Sequence, residues 1–397
     1  MDNTNTKSDI ELAVESSKTL ESLLEREYSA TGRGLHDAMT RLATNRLSRR
    51  VTQGLAFALT AAVWAVPAEA HVKWFTEFDI AKPPRPIGEV LSGRFVDVFL
   101  ASVFGVYLFF LADRFTLRKG FLAALDLRLR RLDSFSILIM RGSACVFFVS
   151  LWLWHVAFGT SFYLTPELHT TGAYVPWLHL ALGLFVLSRH TAPLAGLGIF
   201  VLYAGAVKDY GAYHLLDYLI FLGIGYFLLV SNLRSGRWLK SGFIVLFAST
   251  GLTLIWAAME KFAYPQWTYP VLEHSPDMLM GLQQESYMML AGFIEFNMAF
   301  ILLGAASMVG RLVALGLQSV FVLAVFKFGL LDAIGHLMIV TILVVLLVRG
   351  PTDARNMLVL RDKTIWTESY FMTGLYFLAF VMIFILYYGL HYRYYGV

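Results

Sequence analysis

The sequence predicts an all-α, polytopic helical membrane protein of about eleven spans, arranged as two tandem four-helix bundles plus flanking helices. Composition is the first support. Of 397 residues, 57% are hydrophobic and only 15% charged, where soluble domains carry nearer a quarter charged, and the mean hydropathy is +0.62. Apolar runs of roughly 17–25 residues are the second, the length that crosses ~30 Å of hydrocarbon. The third is that basic residues gather between alternate runs. The formal charge of +4 is therefore spent beside the spans. It points to the lipid bilayer as partner and not to nucleic acid. A single cysteine, Cys145, excludes an intrachain disulfide, a CxxC relay and a thiolate zinc cage.

Along the chain, residues 1–50 form a polar leader with apolar residues at helical spacing in LESLLEREY and LHDAMTRL. They read as a cytoplasmic surface helix or a partly disordered arm. In 51–70 a basic flank, a short apolar centre and the ending Ala68-Glu69-Ala70 carry the marks of a secretory signal, although an uncleaved signal-anchor fits equally. Either way His71 emerges on the far side. Residues 71–134 then supply an outer segment, a span at 93–112 and a loop with Arg114, Arg118, Lys119, Arg128, Arg130 and Arg131. The HVKWF stretch reads as interfacial, with Trp74 and Phe75 in the headgroup layer.

Four spans at 135–158, 175–188, 193–207 and 213–231 make a first unit, 135–231. Four more at 242–262, 287–305, 312–326 and 331–349 make a second, 242–349. The segment 350–397 adds a loop and a last span at 370–390. Arg234, Arg237 and Lys240, and then Arg349, Arg355, Arg361 and Lys363, fall on the same side as the first basic loop. The positive-inside bias makes that side cytoplasmic, along with the N-terminus, in a cytoplasmic membrane of bacterial type. The two units overlay: LWLWHVAFG on LIWAAMEKFAYP, Gly211-Ala212-Tyr213-His214 on Gly329-Leu330-Leu331-Asp332, and Tyr218 on His336. This is a parallel duplication.

The second unit carries Met259-Glu260-Lys261-Phe262 at the end of its aromatic first span. It continues with AGFIEFNMAFILLGAASMVGRLVAL, Ala291 to Leu315, which includes Glu295, Gly304, Gly310 and Arg311. In these features it resembles the DoxX-like family of four-helix membrane proteins. The first unit departs, with His179 near the place of Glu295 and no Glu-Lys pair after Trp152. The resemblance implies a four-helix bundle and, as in some members, a role beside quinone-linked sulfur or thiol oxidation.

An ionisable side chain within a span costs ~2.5–3.5 kcal/mol on insertion scales, so it normally faces a bundle interior and has a role. In the second unit Asp332, His336, Glu295, Glu260, Lys261 and Lys327 are the candidate catalytic residues. Asp332 and His336 lie four apart on one helical face. A carboxylate beside an imidazole fixes its tautomer and suits the pair to proton exchange near neutral pH. The bland alternative is a set of pairs that cross-link helices while the lysines snorkel. In the first unit His155, His179, Asp209, His214 and Asp217 are the candidate cofactor-binding set. There His214 and Tyr218 share a face, and Asp217 is turned about one residue away. Histidines on several spans raise haem, but no His-x-x-x-His or cysteine attachment motif is present. If cleavage follows Ala70, the free amine and imidazole of His71 form a chelate suited to a copper ion.

The leading expectation is a membrane component of a quinone-linked redox system, with protonatable sites at the outer face and a membrane or extracytoplasmic redox partner. A transporter of protons, metal ions or small solutes is the alternative, as is a non-catalytic accessory protein. No nucleotide loop, flavin fingerprint or haem motif separates an oxidoreductase subunit from these.

Overall fold

The computed structural model describes residues 72–120, 122–233, 236–351, 358–360 and 363–396. The leader, the signal-like segment and His71 lie outside the described residues. Helix α1, Gly93–Lys119, opens under Ser92, whose hydroxyl accepts from the Phe95 amide. Helices α2 (Ala123–Arg130) and α3 (Ser136–Phe158) follow. A two-stranded hairpin, β1 (Ser161–Phe162) and β2 (His169–Thr170), leads into α4, Val175–Phe185. Next come α5 (Ala192–Tyr210), a 3-10 segment His214–Tyr218, and α6 (Leu219–Val230). The long α7, Gly236–Ala263, is the most buried of the long helices. Helices α8 (Gln284–Gly304), α9 (Met308–Phe328), α10 (Leu330–Arg349) and α11 (Ile365–Tyr395) complete the chain.

Among the described residues, eight helical stretches are long and apolar enough to cross a membrane, and Val175–Phe185 and His214–Val230 are shorter apolar segments. Each of the ten spans expected after residue 71 coincides with one of these ten elements. Gly211 and Gly329 explain two sharp reversals. Both have φ near +80°, at 85° and 81°, a backbone region that disfavours any side chain. At Gly329 a single residue separates α9 from α10.

Consecutive helices from α3 to α10 pack side by side, and α10 returns to α3. The ring is collapsed, because α7 also touches α10. Close packing of α6 on α7 and of α10 on α3 crosses the boundary between the two expected four-span units, and the described residues cluster as one unit. Two self-contained bundles are therefore not evident. Helices α1 and α11 pack on each other and against α7, α8 and α9. An aromatic seam fastens them: ring centroids of Phe95 and Phe293 lie 4.9 Å apart, Phe99 and Phe380 4.7 Å, Phe296 and Phe380 5.0 Å. Such offset and edge contacts add to simple burial.

The basic residues mostly tie helix ends at one end of the bundle. Asp113 accepts from the Ser307 amide (2.9 Å) and hydroxyl (2.6 Å) and from the Ala306 amide, which holds the α8–α9 turn. Arg311 bonds Asp126 (2.8 Å) and the Leu347 and Val348 carbonyls. Arg349 bonds Asp133 (2.7 Å) and lies 3.9 Å from the Phe243 ring centroid. Buried carbonyls at helix ends lack intrahelical partners, and guanidinium groups supply them.

A candidate charged cavity at the Lys73 end

At the opposite end, the segment expected in the headgroup layer turns inward. Lys73 and Trp74 belong to a single 3-10 turn, Val72–Trp74. Lys73 is 5% exposed. Its ammonium donates to Asp217 and to Glu260 Oε1 (2.7 Å), and lies 3.6 Å from Glu167 Oε1. It also sits 5.8 Å and 5.9 Å from the ring centroids of Phe78 and Tyr218, within cation–π reach. Trp74 goes under α10. Its indole occupies the space where a Cβ on Gly335 would project, and its ring centroid lies 4.7 Å from that of His336.

Glu167 comes from the β1–β2 hairpin and is buried. The His214 imidazole donates from Nε2 to Glu167 Oε1 (2.6 Å). Burial alone would favour the protonated acid at Glu167. The adjacent Lys73 charge and the His214 hydrogen bond outweigh that and hold its carboxyl down at about 2. For Lys73 burial acts to lower the ammonium value, but Asp217, Glu167 and Glu260 hold it well above the ordinary lysine range. A buried cation keeps its charge when it is paired in this way. The segment carrying His214 and Asp217 is a 3-10 helix, in which residues three apart eclipse. That corrects the expected one-residue turn between them: both face Lys73 and Glu167.

A second group lies on the far side of Trp74. Asp332, fully buried, has a carboxylate oxygen 3.1 Å from His336 Nδ1. The imidazole is flanked by Trp74 and by Phe321, whose ring centroid is 4.9 Å away. Glu295 pairs with Lys261 at 2.9 Å. A cavity of about 50 Å³ joins the two groups. Lys73, Glu260, Lys261, Glu295 and His336 line it, with Tyr264, Trp267 and Thr268 from the connection between α7 and α8 and apolar side chains including Leu254, Leu317 and Phe321. That is room for a few water molecules among polar partners.

The structure thus brings Asp332, His336, Glu295, Glu260 and Lys261 to or beside one cavity. Lys327 is apart from it, exposed and paired with Asp277 at 2.7 Å. Of the first-unit set, His214 and Asp217 join the Lys73 network. His155 meets Ser161 Oγ (2.8 Å), buried His179 donates to the Tyr163 carbonyl (3.0 Å), and exposed Asp209 accepts from the Tyr163 hydroxyl (2.6 Å). Sequence reasoning missed Lys73 and Glu167. A lysine inside the aromatic pentapeptide HVKWF was a usable signal, because a charge among Trp and Phe is costly unless paired. Glu167, in a loop with no periodicity, offered none.

Fold and site together define a multi-helix membrane protein that encloses a charged cavity within one end of its helix bundle. No protein-family model, no curated protein and no solved structure matches the chain.

Proposed function

We propose that the protein carries protons through the membrane by way of this cavity, as a proton-coupled transporter. The observation that carries the reading is the fully buried Asp332–His336 pair, whose His336 lines a water-sized cavity shared with Lys73, Glu260, Lys261 and Glu295. A carboxylate and an imidazole in contact take up or release one proton while the pair stays buried, and neighbouring waters relay it. The Lys261–Glu295 pair lines the same cavity and supplies both signs of charge beside it. The basic end of the bundle faces the cytoplasm in this reading and the Lys73 end faces outward, in keeping with the positive-inside bias. The DoxX-like resemblance of 242–349 supplies an origin for the helices that hold the pair.

The quinone-linked alternative needs a cleft of the size used by drug-like ligands, ~300–1,000 Å³. A groove of about 240 Å³ between α1 and α8 approaches that size. Its lining is apolar apart from Ser102 and Asn297, so no acid or imidazole is at hand there to protonate a reduced oxygen. Size and chemistry both favour the proton reading.

Proteoliposomes with an entrapped pH-sensitive dye test it. Wild-type protein should dissipate an imposed pH gradient, and Asp332→Asn and His336→Gln should reduce the rate at least about tenfold, typical of a lost proton-transfer group. A wild-type rate equal to that of empty liposomes sinks the reading.

A further inference from the structure

We infer that Glu167, His214 and Asp217 form a binding site for a divalent metal ion of the zinc class, beside the cavity and separate from the Asp332–His336 pair. Each offers a ligand atom, and these atoms lie within 4.8 Å of one another with all three residues buried. One imidazole with two carboxylates is a donor set that zinc and its neighbours accept. Ligands held at ~2.0–2.2 Å from a tetrahedral ion lie about 3.4 Å apart. Small shifts, with His214 Nε2 turned from Glu167 to the metal, therefore suffice.

Two further observations point to a bound cation. Asp217 Oδ1, on a side chain 1% exposed, receives no hydrogen bond from any described residue. A buried acceptor without a donor is costly, and a metal ion would satisfy it. Charge is the second. Glu167, Asp217 and Glu260 surround one ammonium, Lys73. A divalent ion and Lys73 together would supply as many positive charges as there are carboxyl groups. Lys73 has a partner to keep in that arrangement, because Glu260 Oε1 already accepts from it at 2.7 Å while Asp217 passes to the metal.

The ammonium still competes with the ion for Asp217, so Lys73 sets the affinity. Removing it should tighten binding by about tenfold or more, the effect of deleting one like charge from a buried site.

The test uses full-length, untagged protein in detergent, stripped with a chelator and titrated with Co²⁺ and Zn²⁺. The expected result is one ion per chain, a visible Co²⁺ spectrum of nitrogen–oxygen ligation, and a zinc X-ray absorption spectrum fitted by one imidazole with oxygen ligands. His214→Gln and Asp217→Asn should abolish the stoichiometric ion, and Lys73→Met should tighten it. Substoichiometric binding by both the wild type and Lys73→Met overturns the assignment, as does an ion that survives His214→Gln. If His214→Gln does not fold, the wild-type X-ray absorption spectrum decides alone: more than one imidazole, or none, overturns it.

Discussion

Replacing Lys73 by Met keeps the unbranched stem and deletes the ammonium that two carboxylates bond and a third approaches within 3.6 Å. Removing one partner of a buried ion pair typically costs about 3–5 kcal/mol, because the remaining charge is left uncompensated. With about 2.1 cal/mol/K of unfolding entropy per residue, a unit the size of Pro67–Val397 would melt about 4–7 °C lower. The pH dependence has a definite sign. The folded Lys73 value is raised, so its stabilisation is fully present below the ordinary lysine range and fades only as pH rises through the folded value. Glu167 is depressed to about 2, so its stabilisation is present above the ordinary glutamate range and is lost as pH falls toward about 2. Between about pH 5 and 9 neither group titrates in the wild type. In Lys73→Met the unpaired carboxylates take up protons on acidification, so the deficit should shrink from pH 8 to pH 5. Thermal unfolding in detergent, read by tryptophan fluorescence at both pH values, measures it. A variant that melts within 1 °C of wild type, or a deficit that ignores pH, refutes the reasoning.

Other outcomes follow from the same geometry. Gly335→Val should drive Trp74 out of its seat against His336, at an overpacking cost of about 1–3 kcal/mol; a red-shifted tryptophan emission with slowed proton flux checks it. Asp113→Asn should weaken the α8–α9 turn, where Asp113 meets the Ala306 and Ser307 donors, and lower stability by about 1–3 kcal/mol in a denaturation series. Lys327→Met breaks only an exposed pair with Asp277; stability should stay within about 0.5 kcal/mol of wild type and proton flux should be unchanged.

The helices after residue 71 were legible because a span declares itself by length and hydropathy, and because glycine-bearing breaks such as Gly211 and Gly329 separate the apolar runs. Asp332 and His336 were legible as a pair because four residues on an α-helix fix their common face. His214 and Asp217 were separated by the same rule, since the local 3-10 geometry left no mark in the sequence. Lys73 and Glu167 were hidden for a different reason. Their partners lie far along the chain, at Asp217, Glu260 and His214, and contacts between distant loops have no period to read. Packing across the expected unit boundary, α6 on α7 and α10 on α3, was equally silent, because apolar helix faces do not specify which neighbour they take.

The most direct test of the proton account is the infrared difference spectrum of the purified protein between pH 8 and pH 5. If the buried Asp332–His336 pair exchanges a proton, carboxylate or imidazole bands should change between the two conditions, and those changes should be lost in Asp332→Asn and in His336→Gln. A spectrum that is the same in wild type and Asp332→Asn would contradict the account.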